Sequence, residues 1–190
     1  MTMRLFVALD VPEAIIAELS AIQQRLRRNT DRAVSWVKPA AIHLTLQFLG
    51  EVDSERIPAI LAALEAIQQN ADTQRSRILS LAPIGAFPNL RRPQTIWAGV
   101  GGDLAALERL YHTLASALEL LGFSPETRPF RAHLTLGRVR REATEYQRAA
   151  LGAAIAALSP PHPITWQSGS PILYQSTLTP QGAIYQALGP

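Results

Sequence analysis

Ile42–Leu49 reads IHLTLQFL and Ala132–Val139 reads AHLTLGRV, so the tetrapeptide His-Leu-Thr-Leu occurs twice in a chain that has only four histidines. Each copy alternates polar and apolar residues, the pattern of a half-buried β-strand. Alternate side chains of a strand share a face. Leu44 and Leu46 therefore point one way while His43 and Thr45 point the other, and Leu134 and Leu136 oppose His133 and Thr135 in the same manner. A leucine face buried beneath the sheet leaves an imidazole and a hydroxyl on the open side. The copies stand 90 positions apart, near half of the 190 residues. That spacing predicts two similar lobes whose His-Thr faces look at each other.

Outward from these strands, the periodicity predicts the order β α β β α β β α β α β β, a mixed α+β pattern. RLFVALD (Arg4–Asp10) is a strand, and Pro12–Glu13 opens a helix to about Arg28 carrying Ile15, Ile16, Leu19, Ile22 and Leu26 on one stripe. Val34–Val37 is a short strand. Asp53 or Ser54 is expected to cap a helix from Glu55 to Gln69. Strands follow at Arg77–Phe87 and Gln94–Val100, a helix from Leu104 to Leu121 stopped at Gly122, and an Ala-rich helix over Ala143–Leu158. Strands at Ile164–Gln167 and Ile172–Ser176 precede an extended tail with a turn at Pro180–Gly182. No low-complexity linker divides the chain, which reads as one two-lobed domain over residues 1–190.

The composition is 47% hydrophobic and 17% charged, which suits a compact globule. Cysteine is absent, so neither disulfides nor thiolate metal sites are available. Met1–Asp10 lacks the features of a secretory signal and no apolar run reaches membrane-spanning length, which predicts a cytoplasmic protein with no membrane partner. Of the 18 basic residues, Lys38 is the lone lysine. Arg128, Arg131, Arg138, Arg140 and Arg141 flank the second motif, a basic rim suited to a phosphate-bearing ligand.

If the lobes face each other, the cleft holds two imidazoles and two hydroxyls. Imidazole titrates near neutrality, so one ring can remove a proton while its twin delivers one. Hydroxyls two residues along can bond the non-bridging oxygens of a phosphate. In-line displacement at a phosphodiester fits this set best. Zinc hydrolysis wants three converging ligands, and neither His112 nor His162 has ligand spacing. A Gly-x-Ser-x-Gly elbow and a phosphate-binding Gly-x-x-x-x-Gly-Lys-Ser/Thr loop are both absent. No metal and no cofactor is expected.

The two His-x-Thr-x copies resemble the signature of the two-histidine phosphoesterases, and within them the bacterial and archaeal RNA 2′,3′-cyclic phosphodiesterases, historically called 2′-5′ RNA ligases. RLFVALDVPE resembles that family's opening strand, WVKPAAIHLTLQFLGEV and RPFRAHLTLGRV its two motifs, and PNLRRPQTIWAGV and LYQSTLTPQGAIY its middle and closing segments. The resemblance implies a bilobal α+β fold, each lobe an antiparallel sheet backed by helices, with the site in the cleft between them. It implies metal-independent opening of an RNA 2′,3′-cyclic phosphate end, or of a small cyclic nucleotide, to a 2′-phosphomonoester by a monomer. It makes His43 the proton donor and His133 the proton acceptor, Thr45 and Thr135 phosphate ligands, Arg138 a substrate contact, and Phe48 a residue near the base. The alternatives are a non-catalytic nucleotide-binding module and RNA ligation by the reverse reaction.

Strand parity opposes two of these assignments. Arg138 lies five steps from His133, so a regular strand turns it toward the core, although Gly137 before it suits a bulge that re-aims the chain. Phe48 shares its parity with Leu44 and Leu46 and by that rule is ordinary core. The arginines around His133 are expected to lower its proton affinity relative to that of His43.

Overall fold

Thirteen apolar-patterned segments of the chain become nine strands and four α-helices among the described residues. The computed structural model describes residues 1–70, 77–162, 164–179 and 182–189. In chain order the elements are β1 (Thr2–Leu9), α1 (Glu13–Thr30), β2 (Val34–Trp36), β3 (Leu44–Asp53), α2 (Ile57–Gln69), β4 (Ile78–Phe87) and β5 (Thr95–Gly102). Then follow α3 (Leu104–Leu120), β6 (His133–Val139), α4 (Glu145–Ala156), β7 (Thr165–Gln167), β8 (Ile172–Thr179) and β9 (Gly182–Gly189).

The strands form one nine-stranded antiparallel sheet with two halves. One is β9-β8-β1-β3 and the other is β7-β4-β5-β6, with β2 also pairing β6. The halves join where β3 meets β6, at the single pair Leu44–Leu134. The first lobe thus takes β1 and β3 from the start of the chain and β8 and β9 from its end, while β4 to β7 together with the short β2 build the second. The helices also pair, α1 with α4 and α2 with α3.

Local chemistry explains the helix ends. The carbonyl of Pro12 accepts from the amides of Ile15 and Ile16 and starts α1, whose Ile15, Leu19, Ile22 and Leu26 are buried. Asp103 accepts from the Ala106 amide to open α3. The helix closes at Gly122, whose φ of 81° is open to glycine at no steric cost. Thr144 and Gln147 form a capping box at the start of α4. The expected cap of the second helix differs: Ser54–Arg56 is a 3₁₀ turn and the Asp53 side chain makes no capping bond. Pro58, in the first turn of α2, needs no amide partner there, so the helix starts without a polar cap.

The expected extended tail is the edge strand β9, which pairs with β8 from Leu173–Gly189 to Thr179–Gly182. Of the expected Pro180–Gly182 turn, residues 180 and 181 lie outside the described residues. Among the described residues, no helix is long and apolar enough to cross a membrane.

Candidate active site

The four motif leucines are buried to within a few per cent, whereas His43, Thr45, His133 and Thr135 are half-buried. The alternation read from sequence therefore holds in both strands. Two identical tetrapeptides that pair antiparallel at the same residue are related by a local two-fold rotation. The Leu44–Leu134 pair is that point, and it brings the two His-Thr faces side by side. The imidazoles are close enough for the charge of His133 to act on His43.

Both rings are held in the same way. Nδ1 of His43 bonds the Ala41 carbonyl at 2.9 Å, and Nδ1 of His133 bonds the Arg131 carbonyl at 2.6 Å. A carbonyl can only accept, so Nδ1 carries the proton in each ring. Nε2 is thereby left as the exchanging atom, able to take a proton when bare or to give one when charged.

Identical bulges settle the two parity conflicts. Along β3, Val7 pairs with Gln47 and Ala8 with Thr45, which leaves Leu46 unopposed. Along β6, Ile96 pairs with Gly137 and Trp97 with Thr135, which leaves Leu136 unopposed. In each copy the extra residue is the last leucine of the tetrapeptide, so the next residue also points inward and the parity flips. Gln47 is buried, its amide reaching the Ser124 carbonyl at 3.4 Å, and Gly137 is buried where a Cβ would come within 2.7 Å of Val34. The carbonyl of Leu136 accepts from the Val37 amide and from Nε2 of the buried Gln23. Phe48 emerges 52% exposed and Arg138 is exposed. Phe48 is thus no core residue, contrary to strand parity.

Sequence reasoning missed the surroundings of His43. Phe6 of β1 stacks on the imidazole with centroids 4.8 Å apart and also meets Phe48 at 6.0 Å. Tyr185 of β9 meets the imidazole edge-on at 5.0 Å. Tyr174 of β8 donates its hydroxyl to Asp10 at the end of β1. Phe6, Tyr174 and Tyr185 are distant from His43 in sequence, and no local pattern announces their meeting. Burial by them holds the His43 imidazole below its ordinary value, opposed by its bond to Ala41 and by the Asp10 carboxylate, with His133 adding a push downward. Burial is thus the largest of the influences on His43. Around His133, Phe87 stands edge-on at 5.2 Å and Trp97 at 6.5 Å. His112 is exposed on α3, and His162 pairs with Glu18 at 3.2 Å, so neither joins the cleft pair.

Asp10→Asn should therefore lower the proton affinity of His43 further, because it removes a negative charge that raises it. If His43 donates the proton, the alkaline limb of kcat/KM against pH moves to lower pH. Movement of the acid limb instead would assign His43 the acceptor role. Asparagine still accepts from the Tyr174 hydroxyl, so the local packing is retained.

A family model described as LigT like Phosphoesterase matches residues 9–97 and 103–185. The chain is 34% identical over 186 residues to an RNA 2′,3′-cyclic phosphodiesterase of Archaeoglobus fulgidus, covering 98% of both proteins. It is 33% identical to the protein of that name from Thermotoga maritima, covering 98% of this chain and 93% of the other. Its structure resembles a crystal structure of a Thermus thermophilus protein with a TM-score of 0.80 at 28% identity, over 98% of this chain and 95% of that one. It also resembles E. coli LigT complexed with 3′-AMP, with a TM-score of 0.75 at 27% identity, over 99% and 96%.

Proposed function

Because this chain belongs to the LigT-like phosphoesterase family, we propose that it is an RNA 2′,3′-cyclic phosphodiesterase that opens the cyclic end to a 2′-phosphomonoester. The observation that carries the reading is the pair of Nδ1-anchored imidazoles, one from each lobe, facing the same cleft. Residues 1–190 then act as one catalytic domain, since each lobe supplies half of the chemistry.

In this mechanism Nε2 of His133 takes a proton from water as it attacks phosphorus. Nε2 of His43 gives a proton to the departing 3′ oxygen, and the P–O3′ bond breaks. Thr45 and Thr135 bond the non-bridging oxygens, and Arg138 adds a charge-assisted bond to the same phosphate. Phe48 supports the base of the terminal nucleotide. Burial leaves His43 biased toward its neutral form in the free protein. A bound phosphodiester anion opposes that bias, because a nearby negative charge favours the protonated ring. His43 thus gains its proton as the substrate arrives. Water, as the abundant nucleophile, drives the reaction toward hydrolysis rather than ligation.

Two imidazoles can carry out both proton transfers, so turnover of an RNA with a 2′,3′-cyclic phosphate end should persist in EDTA. Activity that disappears in chelator and returns with a divalent cation would overturn the two-histidine mechanism. Stoichiometric binding of the same RNA with no ring opening would instead support a binding module.

A further inference from the structure

We infer that the face of the second lobe between His133 and the Arg91–Arg92 turn is a track for single-stranded RNA leading to the reacting end. The enzyme then takes an oligonucleotide in preference to a free cyclic nucleotide. This rests on the phosphodiesterase reading above and adds to it a binding surface outside the cleft.

Register defines the track. Trp97 pairs with Thr135, Thr95 with Arg138, and Phe87 with Thr95, so all these side chains share the face of His133. Phe87 and Trp97 lie with ring centroids 5.0 Å apart and both residues are half-buried. Trp97 lies against Gly85, where a Cβ would come within 2.5 Å of the indole; bare backbone at that position makes room for the ring. From His133 to Val139 the strand runs about 20 Å at ~3.3 Å per residue, a span longer than one nucleotide.

At its far end two arginine-bearing turns are locked together. Arg148 donates to the carbonyls of Pro93 and Arg140, each at 3.0 Å, and to those of Ala143 and Arg141 at 3.3 and 3.4 Å. The Val139 amide donates to Gln94, and Asn89 accepts from the amides of Arg91 and Arg92. Arg91, Arg92, Arg138, Arg140 and Arg141 are all exposed, and among the described residues none of them makes an ion pair. Aromatic faces followed by planar guanidiniums are the combination that holds a single strand, with bases stacked on rings and phosphates on arginines. The surface is continuous with the cleft, which favours RNA over a separate protein partner.

The test compares a 2′,3′-cyclic mononucleotide with a short single-stranded RNA ending in the same group, each over a salt series. Arg91→Ala/Arg92→Ala/Arg140→Ala/Arg141→Ala should raise KM for the RNA about tenfold or more. It should also flatten the RNA's logarithmic salt dependence by about 0.7 for each phosphate no longer neutralised. Mononucleotide turnover should stay unchanged, which also reports a folded variant. Arg91→Ala/Arg92→Ala, confined to one exposed turn, should show about half the change in slope and keeps the test open if the quadruple variant misfolds. If the wild type opens both substrates and the variants lose equally on both, or on neither, the track is overturned and the phosphodiesterase reading stands. A wild-type protein that opens neither substrate overturns that reading and the track with it.

Discussion

Replacing His43 or His133 by alanine is expected to lower kcat/KM toward a 2′,3′-cyclic phosphate RNA by about 10²–10⁴-fold in each case. The two losses should not add, because a ring that has lost its partner has half a reaction to catalyse. Both side chains lie on the open face of their strands, so folding should survive. His43 packs against Phe6 and Tyr185, and removing it loosens the packing there. His43→Gln keeps most of that volume and cannot exchange a proton near neutrality, so it separates packing from chemistry. Near-normal turnover of either alanine variant, with circular dichroism unchanged, would make that histidine structural.

The second large effect lies on the opposite face of the same tetrapeptide. Leu134→Ala should destabilise the protein by about 2–5 kcal/mol, the range for a fully buried leucine that leaves a cavity. Leu134 is 0% exposed, and its partner Leu44 is 1% exposed at the one pair where the two halves of the sheet join. Such a cost is a large part of the roughly 5–15 kcal/mol that holds a domain folded. Chemical denaturation should show a lower midpoint with an unchanged slope. A loss below about 0.5 kcal/mol, the size of an ordinary surface substitution, would mean that the junction between the halves of the sheet is not a packed core. Together the two substitutions divide His-Leu-Thr-Leu into a chemical half and a structural half.

How far this division is legible depends on the range of the interactions involved. Leucine in and histidine out follows from the two-residue period of a strand, which needs no knowledge of neighbours. The bulges at Leu46 and Leu136 are set by pairing with β1 and β5, which the motif itself does not contain. At Gly137 a glycine hinted at the irregularity. At Gln47 nothing did, and so parity misassigned Phe48. The burial of His43 comes from Phe6, Tyr174 and Tyr185 on three other strands, one of them the β9 edge that reads as a tail. Asp10 was visible as the end of a strand, but its effect on His43 exists only in the folded chain. Charge is countable in a sequence and desolvation is not, so the burial that dominates at His43 exists only in the folded chain.

The central claim is that two imidazoles break the bond from phosphorus to the 3′ oxygen and leave the phosphate on the 2′ oxygen. Phosphorus–proton correlation NMR of the product formed in EDTA from an RNA with a 2′,3′-cyclic phosphate end tests it directly. The account predicts a single 2′-phosphomonoester, formed by the wild type and not by His43→Gln. A 3′-phosphomonoester, or the same product formed at an undiminished rate by His43→Gln, would contradict it.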